Sequence, residues 1–265
     1  MTLLLKNLNL RGLNSATKYP SIPTYHRIGE KGRLQEDVLT PFPLDPSTEY
    51  EITEKIDGTS TRLVLSPSTD EYLIGSREEW LTYGGDHIAN PSQGIVEALA
   101  GVPAAANHFG HDKIDWAEPH VLVIYGEVYG GKINTAKNYT STAAYGFRVF
   151  DMWARSLEHL AGHVNNETPE TIARWRDEGN QPFLKTEARD IWCDALGLPS
   201  VPALGHVHDV PTSLRDTFAW LSKVVGDLTH AGLDAIGKPE GIVIRTPDRQ
   251  TIAKLRIEDY ARVCR

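Results

Sequence analysis

Residues 50–65 read YEITEKIDGTSTRLVL. β-Branched and aromatic residues alternate with polar ones over Tyr50 to Thr53 and again over Thr61 to Leu65, the period-2 pattern of two strands. Between them lies Glu54-Lys55-Ile56-Asp57-Gly58-Thr59, a lysine flanked by carboxylates and followed by a glycine. Taken alone, this segment also reads as a β-turn with an exposed lysine, because Lys-x-Asp-Gly arises by chance in about one chain in twenty of this length. Its chemistry therefore has to be argued from the rest of the chain.

Working outward, the alternation recurs over Val121 to Tyr125, Tyr145 to Phe150, Gly241 to Arg245 and Thr251 to Arg256. Helical signals fall between these strands. Thr168-Pro169-Glu170 places a capping Thr before a proline at the first helical position of a run through Trp175. From about Ser213, Leu214, Phe218, Leu221, Val224 and Val225 recur at helical spacing, with Gly226 as the stop. The stretch from about 155 to 235 reads as helix and loop. Pro and Gly cluster at 39–47 and around 199–211 without forcing a domain cut. The N-terminal MTLLLKNLNLRGLN lacks the continuous apolar core of a signal peptide and reads as a strand or staple of the fold. These elements predict an α+β protein, antiparallel sheets with flanking helices, in a single domain over 1–265.

Bulk composition narrows the setting. With 265 residues and 40% hydrophobic content, the chain can bury a sizeable core. No apolar run is long enough to cross a bilayer. Cys193 and Cys264 are the only cysteines, which suits a reducing compartment and predicts a cytoplasmic protein. A formal net charge of −8 means that any surface gripping nucleic acid must be local. The histidine pairs His108 with His111, His159 with His163 and His206 with His208 offer spacing but no accompanying cysteine, so a structural zinc site is not expected.

Further segments follow the Lys55 stretch in order: Ser76-Arg77, Tyr125-Gly126-Glu127, Phe147-Arg148-Val149-Phe150-Asp151, Glu240-Gly241-Ile242-Val243-Ile244-Arg245 and Ala253-Lys254-Leu255-Arg256. Together they resemble the motifs of the covalent nucleotidyltransferase superfamily of ligases and mRNA-capping enzymes. Within it the chain looks most like the RNA ligase 2 and RNA-editing ligase group. Glu54-Lys55 is similar to that group's Glu-Lys-x-x-Gly-[Ser/Thr] form, and Phe147 stands where the group places an aromatic that stacks on adenine. Lys18-Tyr19-Pro20 resembles an element near the start of many RNA ligase domains. The resemblance implies an ATP-grasp-like adenylylation domain; with so few residues after Arg256, no C-terminal OB or helical domain is expected. There are three departures: Asp57 stands where RNA ligase 2 has histidine, Ser60 replaces an asparagine that helps end activation, and Arg256 replaces the second lysine of the last motif.

The resemblance implies an ATP-dependent RNA ligase, active in RNA repair, that carries AMP on Lys55 and uses Mg²⁺ or Mn²⁺. It implies catalytic roles for Lys55, Lys254 and Arg256, nucleotide contacts from Glu54, Arg77, Glu127, Phe147 and Glu240, and a metal contact from Glu240. The chemistry fits the residue types. An ordinary lysine amine, with a pKa of ~10.4, is neutral in about one molecule in a thousand near neutral pH, a deficit of about 4 kcal/mol. Neighbouring cations disfavour an ammonium, so Lys254, Arg256 and a divalent metal would favour a nucleophilic amine while cradling the α-phosphate. Nucleic-acid ends would bind through Lys132, Lys137 and Arg148 or through a partner protein. A minimal DNA ligase, a GTP-using capping-type guanylyltransferase and a silent RNA-end-binding module share parts of this pattern.

Overall fold

The computed structural model describes residues 3–38, 47–89, 94–113 and 120–264, so all but the last residue of the 39–47 cluster lies outside the described residues. The chain forms two compact units. The first comprises Met1–Pro20, Thr59–Val128 and Gly146–Ser200, the second Ser21–Gly58, Tyr129–Tyr145 and Val201–Arg265. Among the described residues the strands are β1 (His26–Ile28), β2 (Leu34–Val38), β3 (Tyr50–Lys55), β4 (Thr59–Ser66), β5 (Glu71–Ser76), β6 (Trp80–Tyr83), β7 (Asp86–His87), β8 (His120–Gly130), β9 (Tyr145–Ser156), β10 (Ala203–Val207), β11 (Gly241–Arg245) and β12 (Ile252–Arg256). Mixed helix and antiparallel sheet is thus the observed class. No helix among the described residues is long and apolar enough to cross a membrane.

The first unit is built on a six-stranded sheet in the order β7-β6-β5-β4-β8-β9. Val64, Leu73, Val121, Val123, Tyr125 and Trp153 from its strands share a core with Leu5, Leu8, Leu13 and the helix Leu157–Asn166. The N-terminal segment staples this core, but as a helix, not a strand. Asn9 caps Leu10–Ala16 by accepting from the backbone N–H groups of Arg11 and Gly12 at 3.1 and 3.3 Å, and this local satisfaction of end donors outweighs the strand reading. The buried Arg62 ties this helix to the sheet, donating to the carbonyl of Asn14 at 2.9 Å and the hydroxyl of Thr17 at 3.0 Å. Its guanidinium also lies 4.2 Å from the Trp80 ring centre.

The second unit is built on a four-stranded sheet in the order β10-β3-β11-β12, antiparallel throughout. Tyr50, Ile52, Ile242, Ile244, Ala253 and Leu255 point to one face and pack against the helix Leu214–Val225, Tyr25 and Tyr260. Ser213 caps that helix by accepting from Asp216 N–H at 3.1 Å, and Gly226 ends it in a left-handed φ of 70°. The helix predicted after Thr168 spans Pro169–Asp177 with the expected cap. Strand β10 went unpredicted within 155–235. It lies at the sheet edge, mostly exposed, so burial imposes no alternation on its sequence.

Candidate active site

In the second unit, period 2 decides which residues can meet. Register pairs Lys55 with Gly241 and Gly241 with Arg256, and in the next parallel row Thr53 with Val243 and Val243 with Lys254. Lys55, Lys254 and Arg256 therefore share one face of three adjacent strands, opposite the apolar core. Gly241 must be glycine for its own reason: a Cβ there would stand 2.0 Å from the Leu255 carbonyl oxygen and 2.9 Å from Arg256 Cα. No side chain stands between the two cations of that row.

Glu240, one residue before β11, accepts from Lys55 Nζ at 2.6 Å. Burial pushes its carboxyl above the usual carboxylate range, against the opposing pull of Lys55 and Arg256. Arg256 is held by a two-pronged contact with Asp259, at 2.7 Å from Nε and 2.9 Å from Nη2. The Asp259 hydrogen bonds raise the guanidinium's already high proton affinity. Two cations on this face thus each have a carboxylate fixing their direction, which is electrostatic preorganisation.

Glu54 lies elsewhere. Its side chain points to the face opposite Lys55, only 2% exposed, where it accepts from the Thr229 hydroxyl and from His230 N–H at 2.8 Å. The residue expected beside the nucleotide instead anchors the loop that leads to Glu240. The Asp57 peptide is also anchored: its N–H donates to Tyr139 Oη at 2.8 Å and its carbonyl accepts from Thr135 Oγ1 at 2.6 Å.

The first unit carries Arg77, Glu127 and Phe147. Ser60 of β4 is directly opposite Glu127 of β8. The Phe147 ring occupies the space a Cβ on Gly126 would need, 2.2 Å from that position, so the glycine lets an aromatic plane lie against the strand. Arg77 is exposed and 3.9 Å from Glu78. Arg148 donates to the Ser200 carbonyl at 3.5 Å.

The histidine pairs are engaged otherwise. His159 bonds the Ser156 hydroxyl at 2.5 Å and His163 packs on Trp175, while His206 and His208 each approach Glu49 at 3.6 Å. The side chain of His111 lies outside the described residues. Among the described residues no three His, Cys, Asp or Glu side chains are grouped to hold a metal by themselves.

The sequence matches the RNA ligase family over residues 48–256, a span that contains every one of these site residues except Asp259. The chain belongs to the RNA ligase family. Its fold is also similar to solved structures of Naegleria gruberi RNA ligase. A variant without ligand gives a TM-score of 0.56 at 14% identity over 93% of this chain and 61% of that one. A variant with ATP and manganese gives 0.54 at 16% over 94% and 62%. A third, with AMP and manganese, gives 0.54 at 14% over 82% and 52%. At these identities the likeness is one of fold, and this chain spans only 52–62% of the length of those three. No curated relative matches the sequence. In this RNA ligase domain, sequence reasoning missed Thr135, Tyr139, Thr229 and Asp259. Only Asp259 left a signal, as the third residue after Arg256 at the head of a helix, where side chains at i and i+3 meet.

Proposed function

We propose that this RNA ligase domain reacts with ATP to form lysyl-AMP on Lys55, then activates a 5′-phosphate end and seals it to a 3′-hydroxyl. The observation that carries this reading is the row Lys55–Gly241–Arg256 with Glu240 at 2.6 Å from Lys55 Nζ. The neutral Lys55 amine attacks the α-phosphorus, the bond to the leaving pyrophosphate breaks, and the amine gives up its proton. Arg256 and Lys254 meet the charge that accumulates on the phosphoryl oxygens. Glu240, engaged with the Lys55 amine before reaction, releases it when the nucleotide's charge enters the site.

A divalent ion fits these residues as a companion of the nucleotide. Magnesium favours one or two carboxylates, several waters and phosphate oxygens, and Glu240 is a carboxylate on the cationic face, 2.6 Å from Lys55 Nζ. When bound, the ion would supply further charge compensation on the phosphate. Glu127, Arg77 and Phe147 of the first unit fit ribose, phosphate and adenine contacts by residue type. Glu54 acts indirectly, through the loop it anchors. The exposed Lys132 and Lys137 suit the phosphates of the polynucleotide.

The test is labelling. Incubation with α-labelled ATP and Mg²⁺ is expected to give acid-stable label, GTP to give none, and Lys55→Ala to abolish labelling without lowering the melting temperature appreciably. Label retained at the wild-type rate in Lys55→Ala ends the proposal. Nicked duplexes with 3′-ribonucleotides should be sealed faster than all-DNA nicks, and the reverse preference points to a DNA ligase.

A further inference from the structure

Lys55 ends its strand, and the next three residues leave the sheet without strand pairing. A nucleophile at a strand end is aimed by whatever fixes the peptide beyond it. Here both backbone polar groups of Asp57 are engaged by one short segment, the N–H by Tyr139 Oη and the carbonyl by Thr135 Oγ1. That segment is itself fixed. The Tyr139 carbonyl accepts from Leu233 N–H at 2.7 Å, the Asn138 carbonyl from Gly237 N–H at 2.7 Å, and the Gly237 carbonyl from Thr229 N–H at 2.9 Å. Thr229 donates to Glu54, the neighbour of Lys55. The chain of bonds thus closes on both sides of Lys55, through residue 54 and residue 57.

The Tyr139 ring is fully buried and packs on Tyr129 with 4.9 Å between ring centres. Packing therefore places the hydroxyl, and the hydroxyl places the peptide. Burial and the nearby Asp57, Glu54 and Glu240 push the phenol's pKa upward, so it stays neutral, and its oxygen receives the Asp57 N–H with no charge of its own added beside Lys55.

We propose that Tyr139 is a positioning residue for adenylylation: with Thr135 it clamps the Asp57 peptide and so directs the Lys55 amine toward the attacked phosphorus. The proposal rests on the reading of Lys55 as the nucleophile. It predicts an effect on rate more than on binding, because a misdirected amine loses reaction geometry while nucleotide contacts remain.

The decisive variant is Tyr139→Phe, which keeps the ring and removes only the acceptor. In single-turnover adenylylation its maximal rate is expected to fall at least ~10-fold, toward the ~10²-fold that a misplacement of about 1 Å can cost, with less than about a threefold change in the ATP concentration giving half-maximal rate. Exchange of the Asp57 amide hydrogen should accelerate. Thr135→Val should slow adenylylation in the same sense, and Tyr83→Phe, which removes a hydroxyl bonded to Glu71 on the six-stranded sheet, should not. A wild-type rate in Tyr139→Phe, or an equal loss in Tyr83→Phe, overturns the proposal, as does a loss carried entirely by weaker ATP binding. Absence of labelling in the wild-type protein would instead sink the lysyl-AMP reading itself, so the two failures are distinguishable.

Discussion

The two sheets carry site residues by different physical means. On the four-stranded sheet, Lys55, Lys254 and Arg256 stand on one face, with Glu240 and Asp259 fixing the directions of Lys55 and Arg256. On the six-stranded sheet, Ser60 stands opposite Glu127, and the Phe147 ring lies against the neighbouring Gly126. The first brings charged side chains together; the second brings an aromatic ring against a glycine backbone. Charge placed in advance lowers a barrier by meeting charge that develops in the transition state. Contacts that only bind contribute the same to ground and transition states. Adenylylation should therefore be most sensitive to changes on the four-stranded sheet, after Lys55 itself.

The largest expected effect that can break this division comes from the two glutamates. Glu240→Ala should reduce adenylylation at least ~10²-fold, the usual loss for a positioned catalytic group, and the rate should vanish in excess EDTA. Glu127→Ala, on the six-stranded sheet, is predicted to lose less. Steady-state rates against ATP concentration separate them: Glu240→Ala should act mainly on the maximal rate and Glu127→Ala on apparent ATP affinity as well. Full activity in EDTA would contradict the metal role.

Arg256 sharpens the same contrast. Arg256→Lys keeps a cation at this position and should retain much of the adenylylation rate, whereas Arg256→Ala should lose it. Lysine cannot take both oxygens of Asp259 as the guanidinium does, so a residual loss is expected even in the conservative variant. Equal rates in the two variants would mean that geometry, not charge, is what Arg256 supplies.

A smaller effect is expected at Ser60. Ser60→Asn should leave Lys55 labelling unchanged and speed AMP transfer to a 5′-phosphate end by a few-fold, read by mixing preformed enzyme-AMP with a nicked RNA duplex. Altered labelling with unchanged transfer would show that position 60 does not meet the polynucleotide.

The smallest concerns stability. His26 in the second unit is fully buried, with Nε2 donating to the Thr212 carbonyl at 2.8 Å and Nδ1 accepting from the Tyr260 hydroxyl at 2.7 Å. Burial lowers its pKa below the ordinary histidine value of 6.5. Protons then bind the unfolded chain more readily than the folded one, so the stability His26 contributes is complete above 6.5 and is lost as pH falls through its folded pKa. Denaturant midpoints from about pH 8 to about pH 5 should decline less in His26→Gln than in wild type.

Much of this was legible in the sequence, and the reason is periodicity. Lys55, Lys254 and Arg256 sit on strands whose alternation is strict, so letters and geometry agree. Glu54 was legible in principle: adjacent strand residues face opposite ways, and resemblance alone assigned it to the nucleotide. Tyr139, Thr135 and Thr229 were not legible. They sit in turns without periodicity, and the residues they bond lie 82, 78 and 175 positions away, a separation that no local pattern encodes. The edge strand β10 was missed because solvent on its surroundings leaves its sequence unconstrained.

Glu54 and Lys55 are consecutive residues that serve opposite faces of one strand. A slip of β3 by a single residue against its neighbours would exchange them, driving an ammonium into an apolar core and leaving the loop at Thr229 without its acceptor. Partners on both sides of the strand would have to slip as well, since β10 and β11 each pair with β3. Misregistered molecules are thus penalised at the very residue proposed as the nucleophile, so the chains that complete folding are those that present its amine on the cationic face.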